Sequence, residues 1–187
     1  LEDNQKPIQA GEMGGQFKPF TDNDVADVIQ NIYRILEEIG FSQATPHCIE
    51  TCVAYGAKLG DDGRVRMPRE IVDHAINESE RNLVLFGQDP KHDLQVNGSR
   101  VYFATGGAAV MIANPEDKSY RDSTAQDLYN MARIVDTCEN IHLFQRTCVL
   151  RDIEDNYAMD LNTTYNSVMG TSKHVGASWT DKDHLEK

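Results

Sequence analysis

The chain has 187 residues, of which 40% are hydrophobic and 26% charged, a composition ordinary for a water-soluble globular protein. The formal net charge is −12, and an acidic surface repels phosphate backbones, so we expect no nucleic-acid partner. No apolar run approaches the roughly 20 residues that a membrane span needs, and the first residues lack a signal-peptide pattern. We therefore expect a cytoplasmic protein with no membrane partner.

The N-terminal part of the chain predicts an extended arm followed by helices. Residues 1–20 contain glycines and prolines with little hydrophobic periodicity, which is typical of an extended arm. Thr21 is placed to cap a first helix, Thr45 to cap a second, and Pro68 to open a third. The apolar face of the first helix consists of Val25, Val28, Ile29, Ile32, Ile35, Leu36 and Ile39. We expect residues 21–82 to form a helical lead-in.

The C-terminal half has a different character. The Asn97-Gly98 pair lies between two apolar runs and is a strong hairpin signal, so residues 83–122 are expected to be a β-hairpin region. Thr124 begins a capping-box pattern and predicts a helix start. Residues 123–187 then alternate helix, strand, helix and strand, which is typical of parallel strands joined by helical crossovers.

This alternation predicts an α/β fold, with an α-rich lead-in and small hairpins followed by the opening βα units of a TIM-type barrel. An eight-fold βα barrel takes about 250 residues, and two βα units cannot close one. We therefore expect the chain to be the N-terminal part of a longer protein, with an incomplete barrel. Unpaired strand edges favour self-association, so a homo-oligomer is one expectation.

Four cysteines are present, and two of them are spaced to share a helix face. Cys48 and Cys52 lie four residues apart with His47 beside them, a spacing that can hold a metal. No second Cys or His pair with zinc-like spacing completes such a site. We expect free thiols and no metal site.

Thr105, Gly106 and Gly107 interrupt two apolar runs. The pattern is not a dinucleotide fingerprint, because a third glycine and a following helix are missing. One interpretation is a bulge or a tight strand connection. The other is the backbone wall of a ligand pocket, since glycine lets a ligand approach the backbone closely.

Arg146 and Arg151 lie at or just after the carboxyl end of a predicted strand, which is where a barrel enzyme keeps its chemistry. An arginine there is suited to hold a carboxylate with two hydrogen bonds. The alternative is an Arg–Asp pair with Asp152 that fixes the loop.

Ser178 and Trp179 lie at the end of the last predicted strand. An indole face is the best side-chain platform for a quaternary ammonium group, and packing is the alternative role for this tryptophan. Asn162, on the preceding predicted helix, is a weaker candidate. His174 lies at a strand start, the wrong end of a barrel for chemistry, and is assigned a structural role.

Taken together, several segments resemble the trimethylamine methyltransferase family, whose members include relatives that act on glycine betaine. The match runs in order from about Gly14 to the end of the chain. The segments are 14–22 (GGQFKPFTD), 87–94 (GQDPKHDL), 101–110 (VYFATGGAAV), 161–165 (LNTTY) and 171–181 (TSKHVGASWTD).

The resemblance implies a βα barrel two to three times this length that moves a methyl group from a tertiary or quaternary amine to the cobalt of a separate corrinoid protein. The corrinoid would thus come with its partner protein, and the family's pyrrolysine, where present, would lie beyond Lys187. We expect this portion alone to be inactive, and we assign no catalytic residue. The candidates for binding the amine are Thr105, Gly106, Gly107, Arg146, Asn162, Ser178 and Trp179. Alternatives are a quaternary-amine binding module without turnover and a structural fragment of a larger barrel.

Overall fold

A computed structural model of the chain describes residues 8–186. The described residues belong to two compact units. The first, called the βα unit, combines the described parts of Leu1–Gly14 and Arg81–Lys187; the second, called the helical unit, is Gly15–Glu80.

The described residues form five α-helices and eleven short strands. The helices are α1 (Asp22–Arg34), α2 (Pro46–Ala54), α3 (Arg69–Glu78), α4 (Ala125–Asp136) and α5 (Asn156–Gly170). The strands are β1 (Ile8–Gln9), β2 (Glu12–Met13), β3 (Lys58–Leu59), β4 (Val65–Arg66), β5 (Leu83–Leu85), β6 (Asp93–Val96), β7 (Arg100–Val101), β8 (Met111–Ala113), β9 (Tyr120–Asp122), β10 (Leu143–Gln145) and β11 (His174–Gly176). One π-helical turn and two 3₁₀ turns cover Ile35–Ile39, Pro90–His92 and Lys182–Glu186.

The helical unit confirms the predicted caps. The Thr21 hydroxyl accepts a hydrogen bond from the Asp24 amide at 3.2 Å, and the Asp24 carboxylate accepts one from the Thr21 amide at 2.9 Å. Thr45 caps α2 by accepting from the Cys48 amide, with Pro46 in the first turn. Between α2 and α3, strands β3 and β4 form an antiparallel hairpin.

The apolar face predicted for α1 is largely exposed. Six of its seven side chains keep between 44% and 52% of their surface: Val25, Val28, Ile29, Ile32, Ile35 and Ile39. The buried apolar residues of the helical unit are Ala57 and Val65. The helical unit therefore presents a hydrophobic stripe instead of a closed core of its own.

The centre of the βα unit is a parallel strand pair with a helical crossover, as predicted. Strand β10 pairs in parallel with β11 from Leu143 opposite His174 to Gln145 opposite Gly176, and α5 connects them. A third parallel track adjoins β10 through single bridges from Ala104 to Leu143 and from Ala109 to Cys148. The core beneath consists of Leu128, Ala132, Val135, Phe144, Cys148 and Leu150.

The amino ends of these strands are anchored to the end of α4. The buried Lys173 ammonium donates to the carbonyls of Val135, Cys138 and Ile141 at 2.6–2.7 Å. These carbonyls lie at the C-terminus of the helix and in the turn beyond it, and those of Val135 and Cys138 also accept the backbone amides of Cys138 and Ile141. His174 lies beside them, with Nδ1 2.9 Å from the Phe86 carbonyl oxygen.

The hairpin predicted at Asn97-Gly98 is wrong as a strand pair. A turn does form there, with Gly98 at φ +54 and the Arg100 amide bonded to the Asn97 carbonyl. Strand β6, however, pairs with β1 and β5, and strand β7 pairs with β2 from the N-terminal segment. The hairpin that the turn would close is displaced by these pairings with other parts of the chain.

The α/β class is confirmed, and the βα barrel stays a prediction. The strands within residues 8–186 form five small sheets, and none of these sheets closes on itself. In the same range, every helix is too short or too polar to cross a lipid bilayer.

Candidate functional site

Three segments of the βα unit follow the carboxyl ends of parallel tracks and together form what we call the carboxyl edge. They are residues 105–109, 146–149 and 177–181. Backbone hydrogen bonds hold them side by side: the Ala109 amide donates to the Thr147 carbonyl at 3.1 Å, and the Arg146 amide donates to the Gly176 carbonyl at 3.0 Å. This edge is where α/β folds place their ligands.

Thr105 replaces a rung of the backbone ladder with its side chain. Its hydroxyl donates to the Gln145 carbonyl at 2.7 Å and accepts from the Gln145 amide at 2.9 Å. Both hydroxyl functions are thereby used within the fold. Thr105 lies where the ladder of this track is interrupted, next to the glycine pair.

Gly106 and Gly107 interrupt the ladder without changing its register. The bridges before and after them join residues the same 39 positions apart, Ala104 with Leu143 and Ala109 with Cys148. A bulge would add a residue to one side and shift this offset, so the bulge interpretation is wrong. Gly107 has φ +126, a conformation that favours glycine, and both glycines are exposed. The backbone of Gly106 and Gly107 is therefore accessible to solvent.

Arg146 follows directly on β10 and is half-buried. Its guanidinium has no hydrogen-bond or ion-pair partner within the part of the chain that the structure describes. Asp152, the acid expected to pair with it or with Arg151, instead accepts from the Ala125 amide at 3.1 and 3.3 Å at the start of α4. The Arg–Asp loop pair is therefore not formed among the described residues.

Ser178 and Trp179 lie in the loop after β11, the former exposed and the latter half-buried. The loop is held at Thr180, whose amide and hydroxyl donate to Asp160 Oδ2 at 2.9 and 2.7 Å. His184 Nδ1 reaches the same oxygen at 2.6 Å. Three donors from the chain after β11 thus converge on one carboxylate of α5.

Asp160 is buried, with 1% of its surface exposed. Burial by itself raises the pKa of Asp160, but the hydrogen bonds from His184 and Thr180 outweigh it and hold the pKa below its usual range. Since the carboxylate is ionised, Nδ1 of His184 carries the proton that joins them. The ring of Tyr157 packs edge-on against His184, with centroids 5.2 Å apart.

Sequence reasoning missed Asp160 and His184, although a signal for Asp160 exists. Asp160 belongs to the buried face of α5, whose other buried members are Thr163, Ser167 and Gly170. An acidic residue at helical spacing from buried positions is itself expected to be buried, and a buried carboxylate needs a hydrogen-bond or ion-pair partner. The partner lies 24 residues further along the chain, so no local pattern reveals it.

Asn162 is not brought to the carboxyl edge by any contact. Its side-chain amide donates back to the Ala158 carbonyl at 2.8 Å, one turn earlier in α5. Six of the seven sequence candidates thus lie in the three segments of the carboxyl edge, Asn162 being the exception.

A second feature, a polar cavity of about 480 Å³, lies at the opposite, amino ends of the strands. Its lining includes His92, Asp136, His142 and Lys173. No cluster of three or more His, Cys, Asp or Glu side chains able to hold a metal occurs within residues 8–186.

The chain matches the family described as trimethylamine methyltransferase (MTTB) over residues 4–187. It is 30% identical over 159 residues to the trimethylamine methyltransferase MttB of Desulfitobacterium hafniense strain DSM 10664 / DCB-2, an alignment that covers 83% of this chain and 32% of the relative. It is 26% identical to trimethylamine methyltransferase MttB of Methanosarcina thermophila, covering 86% and 34%. Against a glycine betaine methyltransferase of Desulfitobacterium hafniense strain Y51 it is 27% identical, covering 94% and 36%.

The chain spans about a third of the length of these curated relatives. The match to the family, in contrast, extends over almost every residue of the chain, including the whole carboxyl edge. The chain therefore belongs to the trimethylamine methyltransferase (MTTB) family.

Proposed function

We propose that this protein takes part in moving a methyl group from a tertiary or quaternary amine, trimethylamine or a betaine, to the cobalt of a corrinoid protein. Family membership supports methyl transfer in general, and the relatives' names cover both amine classes. The acceptor is proposed from the family resemblance. We further propose a cytoplasmic location and self-association.

One observation carries the amine-binding part of the proposal. Trp179 and Arg146 follow two directly paired parallel strands, and neither side chain has a hydrogen-bond or ion-pair partner among the described residues. An indole face attracts a quaternary ammonium group, and a guanidinium binds a carboxylate with two parallel hydrogen bonds. A betaine carries both groups, whereas trimethylamine would use the indole alone.

The proposed chemistry asks the chain to bind and orient rather than to form a covalent bond. A reduced corrinoid supplies the nucleophile that takes the methyl group. A quaternary nitrogen departs as a neutral amine, whereas a tertiary amine departs as a neutral secondary amine only after it has gained a proton. Holding the nitrogen against an aromatic face fixes which methyl group faces the acceptor. The acidic net charge favours a cationic ligand.

The proposed acceptor, the cobalt of a corrinoid, is carried by a partner protein, and no ligand for cobalt is assigned to this chain. The side chains at the carboxyl edge fit the amine and its carboxylate, which are small and carry one charge each. Arg146 and Trp179 are half-buried, so part of each side chain stays accessible at the strand ends, which is compatible with a second protein approaching the bound amine.

The assay uses the complete product of the gene, a corrinoid protein with its cobalt reduced, and either trimethylamine or glycine betaine. We expect the absorbance change that accompanies methylation of the cobalt, and it should depend on the amine. No change with any tertiary or quaternary amine would contradict the proposal.

A second candidate is a binding module that holds a quaternary amine without turnover. It is favoured by the absence of an assigned acid–base pair at the edge residues themselves. Calorimetry with glycine betaine and with tetramethylammonium separates the two: binding by the complete product without methylation of cobalt supports the module.

A further inference from the structure

Strand β11 is held at its two ends by two carboxylates of similar design. At its amino end, Asp136 Oδ1 accepts from the Thr171 hydroxyl at 2.8 Å and from the Ser172 amide and hydroxyl at 2.7 and 2.9 Å. At its carboxyl end, Asp160 Oδ2 accepts from the Thr180 amide and hydroxyl. Of these two carboxylates, only Asp160 is also hydrogen-bonded to a histidine of the described residues, His184.

The bond to the Thr180 amide acts directly on Trp179. This amide is the nitrogen of the peptide group that joins Trp179 to Thr180, so fixing it restricts the backbone rotation that aims the indole. The anchor itself is rigid, because Asp160 is buried on α5 and α5 packs on α4. The direction of the tryptophan is thus set from inside the fold.

His184 completes this anchor from the far side of the loop. Its Nδ1 lies 2.6 Å from Asp160 Oδ2, and Tyr157 packs against the imidazole. The side chain of His184 is 14% exposed and that of Asp160 is 1% exposed, so their contact is largely shielded from water. Without such a partner, a buried carboxylate tends to take up a proton, and its hold on Thr180 would weaken.

We propose that Asp160 and His184 are positioning residues for Trp179, and that together they fix the segment 178–180 so that the indole is presented to a cationic amine at the carboxyl edge. The inference rests on the proposed amine-binding function for its ligand. The positioning itself does not, because it concerns the free protein.

The chain offers a direct probe, since Trp179 is its only tryptophan. The first measurement is acrylamide quenching and emission maximum of Trp179 without ligand, in the wild type, Asp160→Asn, His184→Gln and Asp136→Asn. Circular dichroism at the same temperature confirms that each variant is folded. The second measurement is the affinity for glycine betaine and for tetramethylammonium, read from the same fluorescence.

We expect Asp160→Asn to raise the accessibility of Trp179 to acrylamide and to weaken amine binding about tenfold, the factor for one hydrogen bond to a charged group. All three donors meet one oxygen, Oδ2, and the neutral carbonyl oxygen of an Asn at that place is a weaker acceptor than a carboxylate oxygen, so the bonds from Thr180 and His184 lose their charge-assisted strength. His184→Gln should have the same effect to a smaller extent. Asp136→Asn is the matched control, because it loosens the other end of β11, and it should leave Trp179 unchanged.

Variants of Thr180 test the inference even if Asp160→Asn fails to fold. Thr180→Val removes the hydroxyl and should shift Trp179 emission, whereas Thr180→Ser keeps it and should behave as the wild type. Unchanged quenching in folded Asp160→Asn and Thr180→Val overturns the inference, as does an equal change in Asp136→Asn. If the wild type binds no amine but Asp160→Asn still frees Trp179, the positioning role holds and the amine-binding function fails.

Discussion

Thr105 and Gln145 exchange two hydrogen bonds, the threonine hydroxyl giving one to the Gln145 carbonyl and taking one from the Gln145 amide. The Thr105 hydroxyl here makes the two hydrogen bonds that backbone groups would make in a parallel ladder. The ladder is therefore interrupted by side-chain bonds just before the glycine pair and resumes at Ala109, and the backbone of the pair is exposed in between.

Thr105→Val tests this role, because valine keeps the shape and removes the hydroxyl. We expect the free energy of unfolding to fall by about 1–3 kcal/mol, since the Gln145 amide and carbonyl lose their partner. Urea unfolding followed by circular dichroism measures the change. Thr105→Ser is the control and should lose well under half as much; equal losses would show that the methyl group, and not the hydroxyl, matters.

Gly107 and Gly106 form a matched pair for testing backbone strain. A Cβ at Gly107 has room, its nearest neighbour being the Thr147 carbonyl oxygen at 3.6 Å, but φ is +126. Gly107→Ala should therefore cost about 1–3 kcal/mol through backbone conformation alone. Gly106 has neither a positive φ nor a neighbour within 4 Å, so Gly106→Ala should be almost neutral. A similar cost at both positions, measured by thermal melts, argues against the conformation described.

Lys173→Met tests the anchor at the amino ends of the strands. Methionine fills the space of the lysine stem but removes the ammonium group that donates to the carbonyls of Val135, Cys138 and Ile141. We expect a loss of about 1.5–3 kcal/mol in unfolding free energy, the range for hydrogen bonds that involve a charged group. Lys182→Met is the control, since that lysine side chain is 90% exposed, and it should change stability by less than about 0.5 kcal/mol.

The local features of this fold could be predicted from the sequence, whereas features that depend on distant partners could not. Thr21, Thr45 and Thr124 cap helices as expected, because a cap is decided within four residues. The Asn97-Gly98 turn also formed, but its strands paired elsewhere. Pairing is decided by which strand reaches an edge, and β2 reaches β7 from almost 90 residues away.

In the candidate site, too, local features could be predicted from the sequence and features that depend on distant partners could not. Alternation of helices and strands placed Arg146 and Trp179 at strand ends, because the carboxyl ends of parallel strands share one edge. The function of Asp160 was hidden, since its partners Thr180 and His184 follow in a segment that no periodic pattern connects to α5. A buried ionised group needs partners from elsewhere in the chain, and only the folded arrangement identifies them.

Asp127 gives a pH dependence with a defined window. Two hydrogen bonds from Arg121, at 2.6 and 2.7 Å, lower the pKa of Asp127 from its ordinary 3.8 to about 2, against the opposing effect of burial and with help from Thr124. A lowered pKa in the folded state means stability that is complete above pH 4 and is lost as the pH falls towards 2.

We expect Asp127→Asn to be less stable than the wild type by about 1–2 kcal/mol at pH 6, and the gap to shrink between pH 4 and pH 2. Urea midpoints at several pH values measure it. Glu116→Gln, an exposed acid, serves as the control and should show no such gap. A gap for Asp127→Asn that stays constant down to pH 2 contradicts the assignment.

Arg146 should distinguish the two amine classes if the carboxyl edge binds them as proposed. Its guanidinium is free of partners within residues 8–186, so a ligand carboxylate meets no competing acid there. Arg146→Gln should weaken binding of glycine betaine about tenfold or more through loss of a charge-assisted bidentate contact. Binding of trimethylamine, which has no carboxylate, should change by less than about twofold. Arg146→Lys should restore only part of the affinity, because an ammonium group cannot form the bidentate contact.

The measurement is Trp179 fluorescence during titration with each amine, and Arg133→Gln on α4 is the control for a lost positive charge. Equal weakening of binding for both amines would mean that Arg146 stabilises the carboxyl edge and does not bind the ligand carboxylate. If Arg151→Gln, and not Arg146→Gln, weakened betaine binding, the residue that binds the carboxylate would be Arg151, five residues further along the same loop. Selective loss of betaine binding in Arg146→Gln alone would tie substrate choice to this one residue, because the proposed contact of the Trp179 indole is with the cationic nitrogen, which glycine betaine shares with protonated trimethylamine.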